Sequence, residues 1–529
     1  MSGSNAKDIP VELYDTTLRD GAQAPGISYS VEDRLRILHK LDDLGLPYIE
    51  GGWPGANPRD SEFFQIASKE TLRNATLTAF GMTRKAGEKA SESAVLRDML
   101  DAGTEVVCLV GKSWDLHVTE ALRTDLEEGV AMVEDSIRFL ISQDRRVFFD
   151  AEHFFDGYRE NPEYAMRVIR AAEEAGAERI VLCDTNGGTL PSEIGLVVSE
   201  VGAQLESKLG IHAHNDTGCA VANSLAAFES GAFQVQGVIN GYGERTGNAN
   251  MVTIASNLSL KLGVECLPPG AIERLTEVSY FVAETANLIP EPRQPYVGRY
   301  AFTHKAGLHT SGVARISKAY EHIPPETVGN TRNVAVSELG GGSTLQMKAE
   351  GFGLELPKDA IPTIVSHVKE REAEGYAFET ADASLELLMR RAMGWEQDFF
   401  DIESFRVTVD QWEGAETIAE ATVRVQAAGR RHIETAQGEG PVGALDTAFR
   451  KALGSIYPEL DHIELTDFRV RVLDTKIGTG AVVRVLIDTS NGEREWSTIG
   501  VSENIIEASW EALTDSILFG LLHPRSAQA

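Results

Sequence analysis

Short apolar runs and amphipathic stretches alternate along the first half of the chain. From residue 11 to about residue 262, each apolar run is followed by a polar loop and then by a stretch with helical periodicity. Strands that alternate with helices in this way are typical of a parallel sheet covered by helices. The strand-like runs are VELYD (11–15), YIEGG (48–52), ATLTAF (75–80), EVVCLV (105–110), RVFFDA (146–151), RIVLCD (179–184), GIHAH (210–214) and FQVQGVI (233–239).

The helical stretches carry their own start and stop signals. In SVEDRLRILHKLDDLG (30–45), Ser30 and Asp33 predict a capped start and Gly45 predicts the end. The stretch NPEYAMRVIRAAEEAG (161–176) has a proline in its first turn and a glycine at its end. Eight units of about 30 residues are the number that closes a TIM barrel. We therefore predict an α/β fold whose first domain, residues 1–265, is a (β/α)8 barrel, with a doubly wound open sheet as the alternative.

The alternation stops after residue 265. The proline-rich segments LPPG and IPEPRQP, with helical stretches around 271–288 and 357–394, predict a mostly helical linker over residues 266–398. Residues 399–529 contain an internal repeat, because FRVTV and FRVRV each begin three strand-like runs that end in a helix. Two βββα units predict a C-terminal α+β domain, and repeated units that cannot bury their faces alone pack on each other.

Composition and charge narrow the choice of partners. The 529 residues are 42% hydrophobic and 24% charged, as in ordinary globular proteins, and the net charge is −31. This charge repels nucleic acid and anionic lipid, so we expect small-molecule partners, with no nucleic acid and no membrane. The start of the chain lacks the apolar stretch of a signal peptide, and its four cysteines form no CxxC pair. Both features favour a cytoplasmic protein with reduced, buried cysteines.

Polar and ionisable residues gather where the strand-like runs end. Active sites of TIM barrels lie at the carboxyl ends of the strands, whereas the other ends here carry mostly glycine, alanine and ordinary helix-ending residues. We therefore expect the polar residues to form one site. They are Arg19 and Asp20 after the first run, Glu152 after the fifth, Asp184 and Thr185 after the sixth, His212 and His214 in the seventh, and Glu244 and Asn248 after the eighth.

His212 and His214 stand two residues apart, and residues i and i+2 of a strand point to the same side. A polar strand edge is one explanation, and a metal site is the other. Asp20 and the side-chain amide of Asn248 would complete a shell of nitrogen and oxygen ligands, which favours the metal. Mg²⁺, Mn²⁺, Zn²⁺ and Co²⁺ all remain open. Such an ion can bind a 2-oxo acid and polarise its carbonyl group.

Arg19 has two interpretations. It can be the ion-pair partner of the adjacent Asp20, or it can donate to the oxyanion that forms when the carbonyl group is attacked. We favour the second interpretation.

Three segments, in this order, resemble the signature motifs of a known family. LYDTTLRDGAQ, HAHND and NGYGERTGNAN are similar to those of the DRE-TIM metallolyase superfamily, in particular the branch of the 2-isopropylmalate, homocitrate and citramalate synthases. AFTHKAGLHTSG resembles the linker histidine motif of these enzymes, and TAQGEGPVGALDTAFRKAL resembles their C-terminal allosteric domain. The resemblance therefore covers the whole chain.

Within this family, EGGWPGANPRD and DAEHFFDGYRENPEYA resemble the long-chain members that form citramalate. The resemblance implies an acyltransferase that condenses acetyl-CoA with pyruvate and hydrolyses the thioester, giving citramalate and CoA on a route to isoleucine. It also implies roles for particular residues: Asp20, His212, His214 and Asn248 as metal ligands, Arg19 and Asn248 in cofactor binding, and Arg19, Glu152, Thr185, His309 and Tyr320 in catalysis. The base is left open between Glu152 and His309.

The nearest alternatives are a 2-isopropylmalate or a homocitrate synthase, because one methylene of the acceptor changes binding by only ~1–3 kcal/mol. A lyase that cleaves a carbon–carbon bond is less favoured, since simple lyases of this superfamily generally lack such a C-terminal domain. A non-catalytic amino-acid sensor is less favoured because the metal ligands and the candidate bases are intact.

The C-terminal repeats also suggest a regulator. The turns GEGPVGAL and GVSENIIEA each precede a helix, and the N–H groups at a helix start can bind a carboxylate. With Val442 and Ile505 they predict a pocket for a small aliphatic amino acid, and isoleucine is the expected effector. We also expect a homodimer or a higher homo-oligomer.

Overall fold

The first eight strands form a closed parallel barrel. The computed structural model describes residues 11–304, 312–313, 315–334, 342–411, 417–473 and 481–525. The barrel closes because β1 pairs with β8 in parallel, which confirms the TIM barrel and excludes the open sheet. The strands are β1 (Glu12–Asp15), β2 (Tyr48–Glu50), β3 (Thr76–Met82), β4 (Val106–Lys112), β5 (Arg146–Glu152), β6 (Arg179–Asp184), β7 (Lys208–Ala213) and β8 (Gln234–Gly237).

Helices surround the barrel, and the two whose ends the sequence predicts, over residues 30–45 and 161–176, begin and end there. The Ser30 hydroxyl accepts a hydrogen bond from Asp33 N–H, the Asp33 carboxylate accepts one from Ser30 N–H, and Gly45 ends the helix in the left-handed conformation. The helices are α1 (Val31–Leu44), α2 (Pro58–Ala67), α3 (Ala94–Asp101), α4 (Leu126–Ser142), α5 (Phe154–Glu160), α6 (Pro162–Glu174), α7 (Pro191–Gly202), α8 (Ala220–Glu229), α9 (Met251–Leu260) and α10 (Leu275–Thr285).

The chain divides into two compact units. The first contains the barrel and its helices, up to Phe302, together with Ile323–Arg332, and it holds one large hydrophobic cluster and a smaller one around Tyr14 and Phe148. The second contains Thr303–His322 and everything from Asn333 onward. Its first part has a short parallel pair, β9 (Thr303–His304) with β10 (Asn333–Val334), and the helices α11 (Gly342–Gly351), α12 (Ile361–Glu374) and α13 (Asp382–Ala392). The sequence does not predict α11, since its glycines weaken the helical signal.

The second unit ends in the two expected βββα repeats. Each repeat is a three-stranded antiparallel sheet followed by a helix, and the two helices meet through Phe449 and Trp510, whose ring centroids are 4.9 Å apart. The repeats therefore pack on each other, as predicted. The elements are β11 (Phe400–Asp410), β12 (Ile418–Ala427), β13 (Arg430–Gly438), α14 (Pro441–Gly454), β14 (Glu464–Val472), β15 (Val483–Ser490), β16 (Glu495–Ser502) and α15 (Ile505–Leu522).

The cysteines are all free, and three of them, Cys108, Cys183 and Cys266, are buried as expected. Cys219 is only half-buried, so the prediction of a core position is wrong for it: it lies in the loop just before α8 rather than on a strand. Among the described helices, none combines the length and the apolar character needed to cross a membrane.

Asp42, near the end of α1, holds the loop that leads into β3. Its buried carboxylate accepts hydrogen bonds from the backbone N–H groups of Arg73, Asn74 and Ala75, at 2.8–3.1 Å. These donors lie just before the strand, where they would otherwise need water. One side chain thus fixes the path of the chain between two elements of the barrel.

We predict that Asp42→Ala lowers the free energy of unfolding by about 1–3 kcal/mol, because it leaves several N–H groups without their acceptor. Urea unfolding followed by circular dichroism measures this. Asp43→Ala is the matched control, since the half-exposed Asp43 only approaches Arg73 at 3.9 Å. Equal loss in both variants would contradict the role given to Asp42.

Candidate functional site

A cavity of about 290 Å³ opens at the carboxyl ends of the barrel strands. Its polar wall comes from the last residues of β4 and β5 and from the loops after four other strands, and its apolar wall comes from β3, β4 and neighbouring loops. The lining includes Arg19, Asp20, Lys112, Glu152, Thr185, His214, Glu244 and Arg245 on the polar side, and Trp53, Phe80, Met82, Val110 and Leu122 on the apolar side. Six of the sequence-predicted rim residues therefore line one cavity, whereas Asp184 does not and is buried with its carboxylate accepting a hydrogen bond from the Thr189 hydroxyl.

Asp20, His212 and His214 form a compact group of three buried side chains. One ligand atom from each lies within 4.8 Å of the others. The Nε2 atoms of the two histidines are 3.2 Å apart, and Asp20 Oδ2 is 3.4 Å from His212 Nε2 and 3.8 Å from His214 Nε2. His212 belongs to β7, whereas His214 follows it and forms a β-bridge with Asn248. The two imidazoles therefore point to the same side, as the sequence predicts.

Asn248 completes the group. Its Nδ2 donates to Asp20 Oδ1 at 2.9 Å and to the Tyr242 carbonyl at 3.1 Å. Its Oδ1 is buried and has no hydrogen-bond partner among the described residues. A buried acceptor without a donor is costly, and a cation would satisfy it. Two imidazoles, a carboxylate and an amide oxygen fit a divalent metal.

The pKa values of His214 and Asp20 favour the protonation states that ligate metals, whereas the pKa of His212 is raised, because Asp20 outweighs the lowering effect of burial. Burial lowers the pKa of His214 to about 3, and the charge of His212 adds to the effect. Burial would raise the pKa of Asp20, but Arg19 and His212 outweigh it and hold the pKa well below its usual value. At neutral pH His214 is therefore neutral and Asp20 ionised, which are the states that ligate metals.

Arg19 is held in place by two carboxylates and an aromatic ring. Its Nη1 lies 2.8 Å from Asp20 Oδ2, its Nε lies 2.5 Å from Glu50 Oε2, and its guanidinium carbon lies 4.0 Å above the centre of the Phe80 ring. Glu50 is fully buried and also accepts a hydrogen bond from the Tyr14 hydroxyl at 2.9 Å. The ion pair with Asp20 is therefore present, and Arg19 also lines the cavity, where a donor to an oxyanion would have to lie.

Glu152 ends β5 and forms an ion pair with Lys112, at the end of β4. The next residue, His153, adopts the left-handed conformation with φ of 56°, and its N–H donates to Thr185 Oγ1 at 2.9 Å. Non-glycine residues with such backbone angles cluster at functional sites. This turn sets the direction in which Glu152 leaves the strand, and it leaves the Thr185 hydroxyl hydrogen free to donate.

The other two predicted residues, His309 and Tyr320, are not among the described residues of the first unit. His309 lies outside the described residues. Tyr320 belongs to the second unit, is 41% exposed, and lies against Gly312, so that a Cβ added to Gly312 would be 2.2 Å from the tyrosine ring.

Sequence reasoning missed several residues that the structure brings to the site. Glu50 holds Arg19, and Lys112 pairs with Glu152. Gln236 contacts His212, and Arg245 donates to Asp216 and to the Thr185 carbonyl, joining three loops. A signal existed for Gln236, because the eighth run FQVQGVI carries glutamines at alternate positions of an otherwise apolar strand.

Family models match successive parts of the chain. The HMGL-like model matches residues 10–282, the homocitrate synthase post-HMGL domain-like model matches residues 296–375, and the LeuA allosteric (dimerisation) domain model matches residues 379–519. The first match covers the barrel and more than half of the chain, and the chain therefore belongs to the HMGL-like family.

Curated relatives extend over the full length. The chain is 50% identical to an (R)-citramalate synthase of Streptomyces coelicolor, covering 100% of both chains, and 51% identical to one of Aquifex aeolicus, covering 97% of this chain and 98% of the relative. It is 31% identical to a 2-isopropylmalate synthase of Methanocaldococcus jannaschii, covering 96% and 94%. The resemblance to citramalate synthases that the motifs indicate is confirmed.

We predict that the metal-stripped protein takes up one divalent ion per chain, and that His212→Ala/His214→Ala loses this binding. The reason is that the double variant removes two of the three clustered ligand atoms. Equilibrium dialysis with Mn²⁺, Co²⁺ or Zn²⁺, read by elemental analysis, measures the stoichiometry.

His39→Ala is the control for loss of a histidine. His39 lies on α1 and faces Glu70 at 3.8 Å, away from the clustered ligands, so its variant should bind metal as the wild type does. Stoichiometric binding that survives in the double variant would contradict the assignment.

Proposed function

We propose that this protein is an (R)-citramalate synthase, an acyltransferase that condenses acetyl-CoA with pyruvate and releases citramalate and CoA. The observation that carries the proposal is the group of Asp20, His212 and His214 beside Arg19, at the rim of a barrel cavity. The full-length identity to (R)-citramalate synthases supports it. Isopropylmalate synthesis has weaker support, because the 2-isopropylmalate synthase of Methanocaldococcus jannaschii is only 31% identical to this chain.

The metal ligands in this proposal are Asp20, His212, His214 and Asn248. A divalent ion bound there would supply a Lewis acid that orients a 2-oxo acid and withdraws electron density from its keto group. Of the candidate ions, none is singled out by this mixed set of nitrogen and oxygen ligands.

Arg19 would stabilise the oxyanion that forms on the keto oxygen of the acceptor. Its Nε and Nη1 are occupied by Glu50 and Asp20, so the guanidinium is oriented before the reaction begins. Donors that are fixed in advance lose little energy in reorganisation, and removing one such donor typically lowers kcat by about 10²–10³-fold. Asn248, next to Asp20, would help to hold the same end of the substrate.

The chemistry needs a base for the methyl group of acetyl-CoA. Either Glu152 or His309 would remove a proton from that methyl carbon, giving the enolate. The enolate carbon then attacks the keto carbon of pyruvate, forming the new carbon–carbon bond while the keto oxygen becomes an alkoxide that takes up a proton. Water finally cleaves the thioester, releasing CoA and the new carboxylate. The Thr185 hydroxyl, free to donate, would orient the thioester carbonyl, and Tyr320 would act with His309.

The apolar wall of the cavity supports a small acceptor. Trp53 packs edge-on against Phe80, with ring centroids 5.7 Å apart, and Met82 lies on the same strand as Phe80. These side chains stand beside Arg19, where the methyl group of pyruvate would lie. A wall of large side chains leaves little space for a branched substituent.

We predict that pyruvate is preferred over 2-oxoisovalerate by about 10–200-fold in kcat/KM, since pocket contacts of this size are worth ~1–3 kcal/mol. A thiol-release assay with acetyl-CoA and a panel of 2-oxo acids measures it, with chiral analysis of the product. A preference for 2-oxoisovalerate would reassign the protein to isopropylmalate synthesis. A preference for 2-oxoglutarate would reassign it to homocitrate synthesis. Omitting the 2-oxo acid controls for simple thioester hydrolysis.

We further propose that the C-terminal part, residues 399–529, regulates the barrel domain, residues 1–265, through a linker over residues 266–398, and that isoleucine is the effector. The match to the LeuA allosteric (dimerisation) domain supports this assignment. It also supports a homodimer, and so do Phe468, Val470 and Val472, which share one face of β14 and are 37–48% exposed. An exposed apolar stripe on a strand suits a second copy of the chain.

Isoleucine is expected to inhibit the full-length enzyme and to change its affinity for a substrate by about 5–150-fold, the usual range of allosteric coupling. Calorimetry and initial rates with isoleucine, leucine and valine test this. If none of the three amino acids gives a heat of binding or inhibits the enzyme, the C-terminal part has a structural role only.

A further inference from the structure

Gln236 contacts the side of His212 that faces away from the proposed metal ligands. The Nε2 atom of His212 points to Asp20 and His214, whereas its Nδ1 atom lies 2.8 Å from Gln236 Oε1. Gln236 is on β8, the strand next to β7, and is fully buried. The contact is therefore made inside the barrel, shielded from water.

The orientation of the Gln236 amide is fixed by its other neighbours. Its Nε2 lies 3.1 Å from Asp150 Oδ1 and 3.5 Å from Gln234 Oε1, and both of these atoms accept. Asp150 is buried on β5 and also accepts a hydrogen bond from Cys108. The nitrogen of the amide must face these acceptors, so its oxygen faces His212.

An amide oxygen can only accept, so Nδ1 of His212 must carry the hydrogen. In the neutral imidazole, Nε2 then has the free electron pair, which is the state that binds a metal. We propose that Gln236 is a positioning residue that holds His212 in this tautomer and ring orientation, with Asp150 anchoring Gln236. The inference rests on the proposed metal site.

Within the described part of the chain, His214 differs from His212 in having no such contact at its Nδ1 atom. Its Nδ1 is buried and has no hydrogen-bond partner among the described residues. His212 is therefore the imidazole whose tautomer is set by the protein. Such outer contacts typically change metal affinity by about 10–100-fold.

The test is metal affinity of the full-length protein, measured with Co²⁺ alone by competition with a chelator. Gln236→Met keeps the size of the side chain but removes the acceptor, and should weaken Co²⁺ binding by about 10–100-fold. It should also alter the visible absorption of bound Co²⁺, which reports ligand geometry. Gln236→Asn keeps the amide but shortens its reach, and it should also weaken Co²⁺ binding. This variant replaces Gln236→Met if the methionine variant does not fold.

Two further variants separate positioning from packing. Gln294→Met is the control, because Gln294 is another buried glutamine of the first unit whose amide donates to Asn240 at 3.0 Å, and it should keep the wild-type affinity. Gln236→Glu/Asp150→Asn exchanges the two groups so that a carboxylate oxygen faces His212 and an amide nitrogen faces that carboxylate. This pair should recover most of the lost affinity.

The outcomes are distinct. Wild-type affinity and an unchanged Co²⁺ spectrum in a folded Gln236→Met or Gln236→Asn variant would overturn the inference while leaving the metal site in place. Equal weakening in Gln294→Met would overturn it too, by showing a general effect of removing a buried glutamine. Absence of stoichiometric Co²⁺ binding in the wild-type protein would instead overturn the proposed metal site.

Discussion

The pairing of β1 with β8 is the constraint on which the site depends. Asp20 follows β1, whereas His212, His214 and Asn248 come from β7 and the loop after β8, about two hundred residues later in the sequence. Closing the barrel brings the two ends of this long segment to the same rim, and parallel strands ensure that all the following loops open on one side. Ordering so long a segment costs conformational entropy. Burial of the large hydrophobic core of the first unit offsets this cost, rather than contacts within the site.

The site then carries buried charge that the fold must support. Asp20 and Glu50 are both buried, and Arg19 lies between them. Removing ions from water is costly unless they are paired and hydrogen-bonded, and this cluster meets the requirement through the Tyr14 hydroxyl and the Asn248 amide. One guanidinium stands against two carboxylates, so the cluster is negative overall. Such a balance suits a cation at the edge where Asp20 meets the two histidines.

The sequence predicts the barrel and most of its rim because both follow from local pattern. Each strand-like run is visible as an apolar segment, and the topology alone places the residues after it on one side. Glu50 and Gln236 were missed because their roles depend on partners that only the register of the barrel supplies: Gln236 meets His212 across neighbouring strands and Asp150 across the interior. A polar residue inside an apolar strand signals burial with a partner but does not identify the partner. Helix α11 was missed for a different reason, since packing of Leu345 and Ala349 outweighs the weak helical tendency of its glycines.

The charges around the cavity also bear on how an anionic substrate enters. The chain carries a net charge of −31, and the cations of the cavity wall are each paired with a carboxylate: Arg19 with Asp20 and Glu50, Lys112 with Glu152, and Arg245 with Asp216. Three cations thus face four carboxylates, so the wall carries no excess positive charge and offers a 2-oxo acid or the phosphates of acetyl-CoA little net attraction. In the proposed enzyme, a divalent ion held by Asp20, His212 and His214 would supply the positive charge that attracts the 2-oxo acid. In such an enzyme the arginine would orient and stabilise the reacting oxygen, because its charge is already balanced and only its directed N–H groups remain for the substrate.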